Sequence, residues 1–370
     1  MTTEYVAMKE EAPDPAAIRR AGEIIRKGGL VAFPTETVYG LGGDALNPES
    51  SRKIYAAKGR PSDNPLIVHI CRYEDIDLIV SEVPPEAEKL AEAFWPGPLT
   101  MIFRKNSLVP KETTGGLDTV AIRFPSNRIA QALIDAAGGF IAAPSANRSG
   151  KPSPTLAKYC KEDLDGRVEM IIDGGEVGIG LESTIIDLTD GEPTILRPGY
   201  IDQKKLEAVL GNVQVDRTLI DPESGVAPKA PGMKYRHYAP AGELVILEGE
   251  RDKVVEEINK AAQENSVHGL KTGVICTDET ESLYRADSVK SAGPRSDELS
   301  IARSLFRILR EFDDEQVDRI YSESFSGGIL GQAIMNRLMK AAGHRIVRLG
   351  EGSTLPGFQN SQYGMEDKNG

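Results

Sequence analysis

Between about Gly211 and Ala241 the chain loses every hydrophobic period, and that break constrains the fold more than any other feature. The stretch VQVDRTLIDPESGVAPKAPGMKYRHYAPAG is rich in Pro, Gly and polar groups, so it reads as a connection between two separately packed units. A chain of 370 residues is long for a single core, and two domains are the natural expectation. The expected division is a first domain over 1–211, a linker over 212–241, a second domain over 242–350 and a flexible tail over 351–370. The linker also carries Lys234, Tyr235, Arg236, His237 and Tyr238 in one run. A passive tether does not need that density of aromatic and cationic groups, so the run reads as a segment that folds back over a site.

The two units differ in pattern. After the linker, strand-like runs at 244–247, 273–276, 317–321 and 345–349 alternate with helical stretches through Val254, Ile258 and Ala261, over 297–312 and over 329–342. Such alternation predicts a small parallel α/β domain of Rossmann-like type. Before the linker, strand-like runs fall at 30–33, 66–70, 99–103, 119–124, 140–143, 169–173, 183–188 and 194–197. Helices are signalled by Asp14-Pro15 and Asn47-Pro48 and are stopped by Gly28-Gly29 and Gly59. Strands and helices do not alternate strictly here, so an open, twisted, mixed α/β sheet is expected. The cluster Gly40, Gly42 and Gly43 reads as flexible turns.

Composition excludes several function classes. The net charge of −12 argues against an autonomous nucleic-acid binder, which needs a basic face for phosphates. No apolar run approaches the roughly 20 residues that span a bilayer, and the N-terminal stretch lacks the pattern of a signal peptide, so a cytoplasmic location is expected. The three cysteines show no CxxC spacing and the four histidines no HExxH, which leaves no disulfide framework and no protein-built metal site. Two nucleotide motifs also fail. Gly40-Leu41-Gly42-Gly43 lacks dinucleotide-binding spacing, and Gly150-Lys151 has Ser145 where a P-loop needs its first glycine.

What remains is a set of cations at the ends of elements. Lys58 and Arg60 flank a helix-ending glycine, and Arg123 and Arg197 each end a strand. Each alone is an ordinary surface charge, but with Asn64, Ser145, Asn147 and Ser153 they make a polyphosphate site the better reading. Thr37 and His69 are candidates to hold a small polar substrate, although His69 alone reads more readily as a satisfied strand histidine. Ser183 either caps a substrate carboxylate or completes a local turn. Glu36 is a lone loop carboxylate and weak evidence for a base or a metal partner. No nucleophile stands out, so chemistry by positioning and charge neutralisation is expected, as in phosphoryl or nucleotidyl transfer.

Four motifs then carry a resemblance: FPTETVYGLG at 33–42, KGRPSDNPL at 58–66, PSAN at 144–147 and STIID at 183–187. Together they resemble the YrdC-like family, whose members make threonylcarbamoyl-AMP. PGMKYRHYAP at 231–240 and the following α/β unit resemble the family's long, two-domain form, and the match runs over about residues 15–350. The resemblance implies an open, twisted sheet with a large positive cavity. It implies a nucleotidyltransferase that converts L-threonine, bicarbonate and ATP, with Mg²⁺, into L-threonylcarbamoyl-AMP and pyrophosphate. The product would pass to the tRNA threonylcarbamoyl transferase that modifies the adenosine beside the anticodon. Carried over by motif, Thr37, His69, Arg123 and Ser183 would hold threonine. Arg60, Asn64, Thr119, Ser145, Ser153, Arg197 and Tyr235 would hold ATP, with Lys58 and Asn147 at the reacting phosphate and Lys58 and Arg60 in the catalytic role. The competing readings are an RNA-binding module on the same concave surface and carbamoyl transfer to another protein. The second of these would demand acylphosphatase-like and zinc-finger segments that the sequence lacks.

Overall fold

The computed structural model describes residues 1–216, 237–325, 327–328 and 330–350. Tyr235 and the rest of the cationic run before His237 lie outside the described residues, as does the tail.

The strands of the first half are β1 (Glu4–Ala7), β2 (Val31–Phe33), β3 (Gly40–Asp44), β4 (Ile67–His69), β5 (Leu99–Arg104) and β6 (Thr119–Arg123). They continue with β7 (Ile141–Ala142), β8 (Met170–Asp173), β9 (Thr184–Asp187), β10 (Thr194–Arg197) and β11 (Gln214–Val215). All join in one mixed sheet, in the order β1-β8-β2-β3-β7-β4-β6-β5-β9-β10-β11. Its helices are α1 (Pro15–Arg26), α2 (Pro48–Lys58), α3 (Pro85–Phe94), α4 (Arg128–Ala136), α5 (Ala157–Leu164) and α6 (Gln203–Leu210). The second half holds β12 (Glu243–Glu248), β13 (Thr272–Cys276), β14 (Ser288–Ser291), β15 (Arg319–Glu323) and β16 (Ile346–Arg348), with α7 (Arg251–Val267), α8 (Glu298–Asp314) and α9 (Gly331–Ala341). Its strands run β14-β13-β15-β12-β16, every pair parallel. The mixed sheet followed by a smaller parallel sheet is the expected fold class.

Strand alternation decides where the site can lie. Ala32 faces a core that includes Ile54 of α2, Leu90 of α3, Leu164 of α5 and Leu206 of α6. Its neighbours Val31 and Phe33 face the opposite side, against Ile18 and Ile25 of α1 and Ile129 and Leu133 of α4. Further along that second face, Ile67, Ile102, Ala121, Ile185 and Leu196 form a small cluster drawn from strands alone. That strand-only face floors the cavity described below.

Two readings are corrected, and two strands are new. The lead before residue 15, ahead of the matched motifs, adds a strand: β1 pairs parallel with β8, Tyr5 against Ile171. The glycine cluster is strand β3 rather than a turn. A Cβ on Gly42 would sit 2.8 Å from Ile141 Cγ2 and 2.9 Å from Phe33 Cε1, so these glycines let the strand lie close to its neighbours. Gln214 and Val215, inside the stretch read as linker, pair with β10 and extend the first sheet. Ser288–Ser291, an edge strand with no clear alternation, was not anticipated.

The halves are joined by a shared core and buried ion pairs. Val38 and Leu181 of the first half pack in one cluster with Ala302, Leu305 and Phe306 of α8. Arg310 of α8 reaches Asp163 of α5 at 2.6 Å and donates to the Pro152 carbonyl at 2.7 Å, both partners buried. Arg337 of α9 reaches Glu182 at 3.0 Å.

Candidate active site

An open cleft lies over the strand-only stretch of that second face of the first sheet, lined chiefly by the first half and by His237 and Tyr238. Local sequence places each group. Asn47 caps α2 by accepting from the Glu49 amide at 3.0 Å, and Gly59, at φ +64°, stops it in a left-handed turn. Lys58 is thereby delivered into the interior and Arg60 onto the cleft wall. The segment carrying Ser145 and Asn147 docks beside β3, Leu41 N donating to Pro144 O at 2.8 Å and Ala146 N to Tyr39 O at 2.8 Å. The Lys58 amine donates to the Ser145 and Asn147 carbonyls. Ser145 Oγ donates to Asn147 Oδ1 at 2.6 Å.

The other end of the cleft is built across strands in register. His69 stands opposite Arg123, and Arg123 opposite Thr100. Arg123 Nη1 donates to Thr37 Oγ1 at 2.8 Å, and its Nη2 lies 2.7 Å from Glu36 Oε1, out of line for a hydrogen bond. Arg123 Nε and Nη2 and both Glu36 oxygens are therefore buried without hydrogen bonds. Ser183 Oγ shares a hydrogen with Thr100 Oγ1 at 2.7 Å and accepts from Arg197 Nη2 at 3.1 Å. The cleft thus has an end with a guanidinium that retains hydrogen-bonding capacity and an end where Lys58, Arg60, Ser145 and Asn147 converge.

Burial sets the charge states. It pushes the Lys58 amine well below its ordinary value, with Arg60 adding to the shift. It lowers Arg197 to about 10. His69 falls to about 3, first through burial and then through Arg123, and His237 falls to about 3 through burial and then Arg60, so both imidazoles are neutral. Burial alone would raise the Glu182 carboxyl, but Arg337, Arg197 and the Ser153 hydroxyl together hold it below the usual range. Among the described residues, Lys58, Arg60, Arg123, Lys151 and Arg197 line the cleft against one lining carboxylate, Glu182.

Of the expected site residues, Thr37, Lys58, Arg60, His69, Arg123, Ser145, Asn147, Ser183 and Arg197 line this one cleft. Three described ones stand outside its lining. Asn64 lies behind Arg60, whose Nε donates to its carbonyl at 3.3 Å, and Ser153 reaches the cleft only through Glu182, at 2.6 Å. Thr119 begins β6, two residues before Ala121, which pairs with the lining residue Ile67. Sequence reasoning missed Thr35, Lys151 and Glu182. Glu182 stands one residue outside the STIID motif, and no local pattern marks it.

Residues 23–199 match the family described as "Telomere recombination", which groups Sua5, YciO and YrdC proteins. Residues 201–343 match the family described as "Threonylcarbamoyl-AMP synthase, C-terminal domain". The threonylcarbamoyl-AMP synthase of Pyrococcus abyssi is 49% identical over 332 residues, spanning 90% of this chain and 96% of its own. The chain belongs to the threonylcarbamoyl-AMP synthase (Sua5) family. The Bacillus subtilis threonylcarbamoyl-AMP synthase is 48% identical over 333 residues, covering 90% of this chain and 94% of its own. Among solved structures, P. abyssi Sua5 complexed with L-threonine superposes with a TM-score of 0.88 at 46% identity, covering 95% of this chain and all of that one. The family's fold is therefore present at full length, in both halves. Among the described residues no helix is long and apolar enough to cross a membrane.

Proposed function

We propose that this chain is an L-threonylcarbamoyladenylate synthase, a nucleotidyltransferase working in the cytoplasm. L-Threonine and bicarbonate condense to a carbamate with loss of water. A carbamate oxygen then attacks the α-phosphate of ATP, forming the mixed anhydride and releasing pyrophosphate. Magnesium enters with ATP as part of the substrate. The product passes to the transferase that builds threonylcarbamoyladenosine in tRNA. The observation that carries this reading is the polarity of the single cleft.

At one end Arg123 keeps two buried nitrogens, Nε and Nη2, without hydrogen bonds and Thr37 presents a hydroxyl, which suits the carboxylate and hydroxyl of an amino acid. The P. abyssi relative solved with L-threonine supports threonine as the amino acid. His69 is neutral, so it adds no charge to a zwitterionic substrate. At the other end Lys58, Arg60 and Lys151, joined by Arg197 from beside Ser183, neutralise the charge that grows on the α-phosphate and the leaving pyrophosphate. An incoming polyphosphate also restores the proton that burial disfavours on Lys58. Arg60, Asn64, Thr119, Ser145, Ser153 and Arg197 are assigned to ATP, with Tyr235 joining them from the linker, and Ser183 to threonine. Lys58 and Asn147 attend the reacting phosphate.

Pyrophosphate release from MgATP, followed with and without L-threonine, tests the reading. Release that requires both threonine and bicarbonate is expected. Release indifferent to threonine would reduce the protein to an ATPase or a binding module.

A further inference from the structure

Glu182 faces the cleft, yet its carboxylate is fully engaged behind it. Oε1 accepts from Ser153 Oγ at 2.6 Å, and Oε2 accepts from Arg337 Nε at 3.0 Å. Arg337 belongs to α9 of the second domain and has no exposed surface. Its other nitrogens hold backbone: Nη2 donates to the Glu182 carbonyl at 3.1 Å, and Nη1 donates to the Pro198 carbonyl. One guanidinium therefore grips the peptide preceding Ser183 and the residue following Arg197, and through Glu182 it also sets Ser153.

Two physical consequences follow. A planar fork fixes three acceptors at once, a task an ammonium on a flexible stem cannot reproduce. Arg337 also neutralises a carboxylate that would otherwise point its charge at an entering polyphosphate, since an unpaired buried charge is strongly unfavourable. We infer that Arg337, contributed by the second domain, is a positioning residue for the reaction, holding Ser153 and Arg197 in the geometry that receives ATP, with the threonine-side Ser183 beside them. The inference rests on the synthase reading above.

A purely structural role is separable, because the same interface has a contact whose residues do not line the cleft: Arg303 Nε donates to the Gly178 carbonyl at 2.9 Å. The full-length protein and its Arg337→Met, Arg337→Lys, Arg303→Ala and Arg337→Met/Glu182→Gln variants are compared by steady-state kinetics and by calorimetric titration with ATP. Arg337→Met is expected to raise the ATP KM and weaken ATP affinity about tenfold or more, with a smaller change in kcat, the pattern of lost substrate positioning. Arg337→Lys restores part of that loss, and Arg303→Ala leaves ATP affinity unchanged. Adding Glu182→Gln to Arg337→Met removes the repelling charge and recovers part of the affinity. A cooperatively melting Arg337→Met protein with wild-type KM and affinity for ATP overturns the inference. Where Arg337→Met does not fold, Arg337→Lys decides, and an ATP KM equal to wild type overturns the inference. A wild-type protein that binds ATP but releases no threonine-dependent pyrophosphate refutes the synthase reading while the titrations still decide the role of Arg337. No ATP binding by the wild type overturns both.

Discussion

The two sheets treat their buried polar groups in opposite ways. In the second, the groups around Asn265 and Glu323 satisfy one another. Asn265 donates to Thr272 Oγ1 at 3.1 Å and to Tyr321 Oη at 3.2 Å, while Glu323 accepts from Tyr284 at 2.8 Å and from Thr280 and Arg295. In the first, Arg123 and Glu36 leave buried hydrogen-bonding capacity unused, and five cations line one open cleft. A network that closes on itself stabilises a fold. One that leaves donors aimed into a cavity is shaped for a ligand, because its remaining bonds form only on binding. The regular, all-parallel sheet is the frame here, and the irregular, glycine-containing one is the workplace.

That contrast can be broken most severely at Lys58. Lys58→Met should lower turnover about 100- to 1,000-fold, the usual cost of removing one preorganised charge from a transition-state site. Pyrophosphate release normalised to folded protein checks it, and near-normal turnover would dissociate the cleft from the chemistry. The next largest effect belongs to the joint between the halves. Arg310→Met strands the buried Asp163, with Lys151 at 3.0 Å as its remaining cation, and should cost about 3–5 kcal/mol in denaturant unfolding.

The cleft also makes the protein acid-sensitive. The folded pKa of about 3 for His69 and His237 lies below the unfolded value of 6.5. The unfolded chain therefore takes up protons that the folded chain refuses, and stability is lost as pH falls from 6.5 toward 3, with no contribution above that window. Melting temperature scanned from neutral to acidic pH should be level and then decline. His69→Asn should remove about half of the histidine part of that slope. The smallest effect sharpens the comparison from the other side. Glu323→Gln weakens the closed network of the second sheet, lowering stability by about 1–3 kcal/mol while turnover of the folded protein stays unchanged. Lost turnover there would make the second sheet part of the chemistry.

How much of this was legible follows the same division. The second sheet showed its strands and helices through simple alternation, because each helix buries one stripe against strands buried on both faces. The first sheet was legible where capping and apolar periods agreed, as at Asn47, Pro48 and Gly59, and illegible where tertiary packing set the conformation. Gly40–Asp44 looked like a turn because nothing in the sequence reveals how closely Phe33 and Ile141 approach it. Thr37, Lys58, Arg60, Ser145, Asn147 and Ser183 were legible through the motifs at 33–42, 58–66, 144–147 and 183–187, while His69, Arg123 and Arg197 stood out only as polar groups at strand ends. Glu182 was not, because its partner lies 155 positions away. A local clue did exist. Arg337 shares a helical face with the buried Ala333, Ile334, Leu338 and Ala341, and a cation on an apolar stripe implies a buried acid.

The most direct test of the central claim is the mass of the adenylate formed when the protein is given MgATP, L-threonine and bicarbonate carrying heavy carbon. The structure predicts a threonine-containing adenylate that gains the mass of one labelled carbon and appears in step with pyrophosphate. An adenylate of threonine without the bicarbonate carbon, or no adenylate beside AMP, would contradict it.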